Sequence, residues 1–174
     1  MPSFEITREI GIDAGHRVPD HGSKCRNLHG HRYTIQATVA GELAASGEES
    51  GMVMDFGFLK DVMMYEIDDE CDHGMILSIN DPWVKMLVPE INIHRITTGD
   101  FEGKGRLLVI RAKEQDQLPS GKFYIVPFIP TAENLARHWF ERMREPVNQR
   151  TNGRGLLTKV RVWETPNCFA DYPA

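Results

Sequence analysis

Cysteine is scarce in this chain, with three in all and hence an odd number, and no apolar signal segment is recognisable. That combination excludes a disulfide framework and predicts free thiols in a reducing, cytoplasmic compartment. Long apolar runs are missing as well. None approaches the roughly 20 residues that a membrane-spanning helix requires, so no membrane partner is expected. Basic charge is in deficit, 20 Lys and Arg against 25 Asp and Glu for a formal net charge of -5. A nucleic-acid surface needs a basic face to displace counterions, so no nucleic-acid partner is expected either. What remains is the composition of one globular domain: 174 residues, 41% hydrophobic and 26% charged. That length buries a core without staples. The cations gather at one place, where Arg17, Lys24, Arg26 and Arg32 bracket Cys25. Such a cluster is ordinarily a solvated face; beside a metal it could hold a polyanionic small molecule.

The stretch C-R-N-L-H-G-H-R-Y at 25–33 organises the chain. His29 and His31 would diverge on a helix, but on a strand they share one face about 7 Å apart. His31 is in phase with Tyr33, Ile35, Ala37 and Val39. Near the N-terminus Phe4, Ile6, Ile10, Ile12 and Ala14 alternate with polar residues, and His16 continues their parity. If the two strands pair antiparallel through the connection 17–28, His16 lies beside His29 and His31. Three imidazoles on one face with a fourth position open suit a catalytic zinc. Two plainer readings stand beside this one. A single histidine on an apolar face is more often a hydrogen-bonded core residue, and Cys25 could close a four-ligand structural site.

Along the rest of the chain, the small and polar run 41–51 predicts a surface turn. Asp55 predicts an N-cap, followed by Phe56, Leu59, Val62, Met63 and Ile67 at helical spacing, with Gly74 ending the helix at positive φ. The pair Asp72-His73 follows that helix; a carboxylate beside a histidine can orient it for proton transfer, while a dipole-favoured histidine at a helix end is the plain alternative. Thr131 predicts a second N-cap, with Leu135, Ala136, Trp139, Phe140 and Met143 as the apolar stripe and Pro146 as the end. Between the helices, 106–112 and 122–128 read as strands of a hairpin arm. Near the C-terminus, Leu156, Val160 and Val162 share a face that continues into Glu164. A carboxylate on an inner face requires a partner, either an internal arginine or a ligand offering two parallel N–H donors.

Several motifs, in order, resemble one family. They are A-G-H-R at 14–17, C-R-N-L-H-G-H at 25–31, G-M-V-M-D-F-G-F-L-K at 51–60, D-H at 72–73, P-T-A-E-N-L-A at 130–136 and V-W-E-T at 162–165. Together they resemble the pyruvoyl-tetrahydropterin synthases and their bacterial relatives, the 6-carboxytetrahydropterin synthases of queuosine biosynthesis. The C-x-x-x-H-G-H spacing looks like the bacterial type. The resemblance implies an α+β tunnelling fold: an antiparallel sheet with two helices on one face, assembled as an oligomeric barrel, a hexamer or a tetramer, with sites between subunits. It implies zinc on His16, His29 and His31, Cys25 as proton-abstracting thiolate, and Asp72 and His73 as proton relay. Glu164 would grip the pterin ring edge, helped by Thr131 and Glu133, and the substrate would be a pterin triphosphate. The segment 75–129 is longer than the family pattern carries and reads as an insertion in one domain spanning 1–174.

Overall fold

The computed structural model describes residues 3–87, 108–111 and 122–174. β1 (Phe4–His16) and β2 (His29–Gly41) pair antiparallel along their whole length, with Ile12 opposite Tyr33, Ala14 opposite His31 and His16 opposite His29. The alternation seen in the sequence is therefore the pairing register, because shifting one strand by a residue would turn its whole apolar set to solvent. β3 (Gly74–Ser78), β4 (Leu108–Arg111), β5 (Lys122–Val126), β6 (Gly155–Thr165) and β7 (Cys168–Tyr172) complete a seven-stranded sheet of order β4-β5-β3-β1-β2-β6-β7. The sheet is mixed rather than purely antiparallel: β1 with β3, and β3 with β5, run parallel. β3 is reached through a helical crossover, which is what a parallel neighbour needs.

That crossover contains α1 (Phe56–Met63), one turn of π-helix (Met64–Asp68) and α2 (Asp69–Cys71). Asp55 caps it as expected, its carboxylate accepting from the Gly57 N–H at 2.5 Å. Leu59, Met63 and Ile67 are fully buried, but Phe56 is 51% exposed, so the apolar stripe starts one turn later than its periodicity suggests. The left-handed residue after the helix is His73, with φ of 54°, and not Gly74, which opens β3. The turn is held in place by the backbone of β1: the His73 N–H donates to the Asp13 carbonyl at 2.8 Å. After the short α3 (Pro82–Leu87) the remaining helix among the described residues is α4 (Ala132–Arg150), capped by the Thr131 hydroxyl. α1 and α4 pack on the face of the sheet that carries Ile10, Ile12, Tyr33, Ile35, Val160 and Val162. Among the described residues, no helix is long and apolar enough to cross a membrane.

Two further expectations change. Pro146 lies inside α4 and does not end it. Its missing N–H costs one helical bond, yet the next turn buries Val147 completely. The end is sealed beyond it, where the Thr151 hydroxyl bonds the Val147 and Gly155 carbonyls at 3.0 and 2.8 Å. Leu156 is 55% exposed, because a bulge in β6 leaves Thr158 unopposed between Lys159 and Leu157 and reverses the parity below it. Above the bulge Val160 and Val162 face inward as read.

The hairpin strands pair antiparallel, Leu108–Arg111 with Lys122–Val126, while their connection lies outside the described residues. β5 is no peripheral arm, however. Tyr124, Ile125 and Val126 are fully buried between β4 and β3, so both described flanks of the segment 75–129 belong to the sheet.

α4 meets β5 through a hydrogen bond between the Tyr124 hydroxyl and His138 Nε2, 2.9 Å apart. Burial, with the Arg142 charge adding to it, pushes the His138 pKa down to about 3. An unfolded histidine titrates near 6.5. The unfolded chain therefore takes up this proton first, and His138 contributes a stability that is complete above pH 6.5 and is lost as the pH falls toward 3. The slope in that window is about 1.4 kcal/mol per pH unit. His138→Gln keeps an acceptor for Tyr124 and removes the titration, so its urea-derived stability should fall less steeply between pH 6 and 4 than that of the parent. Parallel curves would refute this account.

Candidate metal centre

The pairing of β1 with β2 carries His16, His29 and His31 to one end of the inner face, where their ring centroids lie 4.5 to 5.2 Å apart. One nitrogen from each ring falls within 4.8 Å of the others. Two rings are held by backbone carbonyls. His16 Nδ1 lies 2.7 Å from the Pro130 carbonyl just before α4, and His29 Nδ1 lies 2.8 Å from the Asn27 carbonyl. A carbonyl can only accept, so each Nδ1 carries the proton and each Nε2 keeps its lone pair. Nε2 of His16 and Nε2 of His31 are buried without a hydrogen-bond partner among the described residues. Burial, against the pull of the Pro130 carbonyl and aided by the other two imidazoles, lowers the His16 pKa to about 4. His31 is also lowered, by burial first, with Glu164 opposing and His29 adding. Neutral imidazoles with orphaned, convergent lone pairs are the donor set a divalent first-row ion takes. The three histidines are thus positioned to hold a metal ion.

Cys25 lies in a 3-10 turn (Lys24–Arg26) on the connection between the strands, half-buried and free. Its sulfur does not join the ligand cluster, which leaves the closed four-ligand site without geometric support. Glu164 does reach the cluster: its Oε1 stands 3.4 Å from His16 Nε2 and 3.9 Å from His31 Nε2. The inward parity read for Glu164 is therefore what the fold shows, and among the described residues the side chains its carboxylate approaches are imidazoles rather than an arginine. The basic cluster is partly committed. Arg17 pairs with the buried Asp81 at 3.0 Å and Arg32 with Asp13 at 2.5 Å, whereas Lys24 and Arg26 flank Cys25.

Asp72 and His73 form a pair of their own, Asp72 Oδ2 to His73 Nδ1 at 2.6 Å, with Asp72 Oδ1 accepting the Asp13 N–H at 2.8 Å. Burial works against the Asp72 carboxylate, but these two hydrogen bonds prevail and hold its pKa low. The His73 side chain is 79% exposed. Among the described residues no hydrogen bond or ion pair joins this pair to Cys25, Glu164 or the three histidines. Thr131 serves as the α4 cap, accepting from the Asn134 N–H at 3.5 Å, and Glu133 is exposed in its first turn. Pro130 and Asn27 lie in the motifs quoted above, but their hold on the two rings is not legible in the sequence, since it is made by backbone carbonyls. Tyr33 is the third addition, counted in the sequence only as an apolar-face position.

Comparison with known proteins fits this geometry. The model of the 6-pyruvoyl tetrahydropterin synthase family matches residues 5–174, and the chain belongs to that family. A protein of Rickettsia bellii named 6-carboxy-5,6,7,8-tetrahydropterin synthase is 34% identical over 168 residues, covering 97% of this chain and 99% of that relative. Its namesake in Haemophilus influenzae is 31% identical, covering 97% and 98%. These matches run end to end between chains of nearly equal length. Among solved structures, an uncharacterized protein of Wolinella succinogenes superposes with a TM-score of 0.72 at 25% identity, covering 98% of both chains. The Caenorhabditis elegans 6-pyruvoyl tetrahydropterin synthase, at 21% identity and a TM-score of 0.58 over 100% of this chain and 97% of its own, shares the fold.

Proposed function

We propose that the chain is a zinc-dependent 6-carboxy-5,6,7,8-tetrahydropterin synthase, a lyase that converts 7,8-dihydroneopterin triphosphate and one water to 6-carboxytetrahydropterin, acetaldehyde and triphosphate. The observation that carries this reading is the cluster of three histidines with convergent ring nitrogens in a chain matched end to end by relatives of that name. Zinc on His16, His29 and His31 would supply Lewis acidity to the substrate's side-chain hydroxyls, as it lowers the pKa of water from 15.7 to about 7.

The chain's own residues do the rest. Cys25, in the turn beside the cluster, is the base that takes the side-chain proton. Glu164 accepts paired N–H donors of the pterin ring, with Thr131 and Glu133 at the start of α4 assisting. Lys24 and Arg26 face the triphosphate. The Asp72–His73 pair relays protons, and its separation from Cys25 within one chain is explained if it serves the site of a neighbouring copy. Such an assembly would also pair with β4 and β7, which stand at the two ends of the sheet among the described residues. A homo-oligomer, hexameric or tetrameric, with sites between subunits follows. The free cysteines suit the cytoplasm, and the product suits queuosine or another deazapurine route.

Incubation of zinc-loaded protein with dihydroneopterin triphosphate tests the reading. Acetaldehyde and triphosphate should appear in equal amounts. Triphosphate release without acetaldehyde would instead identify pyruvoyl-tetrahydropterin formation, and no release at all would refute both.

A further inference from the structure

Tyr33 continues the inward series His29, His31 along β2 and is 0% exposed. Its ring stands edge-on to His16 and His31, with centroids 5.7 and 5.5 Å away. Across the sheet Thr34 pairs with Trp163, so Tyr33 and Glu164 are the next step along β2 and β6, both on the inner face. The Tyr33 hydroxyl is buried and has no hydrogen-bond partner among the described residues. A buried hydroxyl without a partner costs free energy, and phenylalanine would fill the same shape without that cost. The oxygen therefore does not serve packing.

The neighbouring groups do not use it. Nε2 of His16 and Nε2 of His31 belong to the metal centre, and the Glu164 carboxylate is turned toward those imidazoles. A phenol hydroxyl can donate to an oxygen.

We propose that Tyr33 is a substrate-contacting residue whose hydroxyl donates a hydrogen bond to the hydroxylated side chain of the pterin. The ring of Tyr33 packs on the imidazoles that would hold the metal, which is the end of the site where the side-chain oxygens arrive. The inference rests on the proposed function and adds to it a determinant of selectivity for an oxygenated side chain.

Two ligands separate the possibilities: neopterin, which carries a trihydroxypropyl side chain, and a pterin with only a methyl group at the same carbon. Binding of each to zinc-loaded wild type and Tyr33→Phe is measured by calorimetry. Tyr33→Phe should bind neopterin about tenfold more weakly, about 1.4 kcal/mol, and the methylpterin with unchanged affinity. In the metal-free state its Tm should equal or exceed that of wild type, because an unsatisfied hydroxyl has been removed. Equal neopterin affinity, or equal weakening of both ligands, would overturn the assignment. So would a lowered Tm, which would reveal a structural partner for the hydroxyl. If wild type bound neither pterin, the proposed function would fail and this inference with it.

Discussion

Cys25→Ala is expected to retain one metal ion per chain and to lose turnover, by about three orders of magnitude or more, since it removes the group proposed as the proton-abstracting base. The three nitrogens that converge at the metal centre come from His16, His29 and His31 alone, and the Cys25 sulfur is outside their cluster. The side chain sits half-buried in a short turn whose backbone is tied elsewhere, the Cys25 carbonyl accepting the Val18 N–H at 2.8 Å. Alanine preserves that backbone bond and leaves a small gap in contact with solvent, so folding should be unaffected. Metal analysis by atomic emission, paired with product detection, decides the matter. Loss of zinc from the variant would make Cys25 a ligand and would leave the reaction without its base. Retained zinc together with undiminished turnover would move the base elsewhere, with the Asp72–His73 pair the next to examine.

The sequence displays the metal centre because strand parity is a local property. Every second residue of β1 and β2 faces the helices, and once the two strands pair without a register shift, His16, His29 and His31 must meet. Glu164 is readable for the same reason, since the bulge in β6 lies below Val160 and leaves the parity from there to Glu164 intact. What fails is whatever a distant partner decides. Pro146 reads as a helix stop because proline lacks an N–H, yet α4 continues since Val147 is buried and Thr151 closes the following turn. Gly74 reads as the left-handed residue by its chemistry, but the Asp13 carbonyl and N–H fix the turn one residue earlier, at His73. Strand β5 reads as an arm because its neighbours are remote in sequence. Its place between β4 and β3 is set by the parallel pairing of Ile76 with Tyr124 and Leu77 with Ile125, which no local pattern announces. The unpartnered Tyr33 hydroxyl is likewise invisible in sequence, where a tyrosine on an inner face counts as one more large side chain.

Glu164→Gln should weaken pterin binding by about 30- to 1000-fold, about 2 to 4 kcal/mol, in zinc-saturated protein. A pterin presents a ring N–H and an exocyclic amine side by side, and a carboxylate accepts both in a fork. The amide of glutamine keeps the shape but turns an NH₂ toward one of those donors, leaving two donors opposed. The position of the carboxylate adds a second, smaller effect. Its Oε1 stands 3.4 Å from His16 Nε2 and 3.9 Å from His31 Nε2, so a negative charge is removed from beside the metal. Changes to groups that support metal ligands typically cost about 10- to 100-fold in metal affinity. With three imidazoles still present, the variant should nevertheless fill to one zinc per chain at saturating metal, and calorimetry under those conditions isolates the ligand term. A zinc-saturated variant with wild-type pterin affinity would reduce Glu164 to an electrostatic partner of the histidines and remove the best support for the substrate class. A variant unable to hold zinc at any concentration would make the carboxylate the fourth ligand, and the open position that the chemistry requires would then arise only when substrate displaces it.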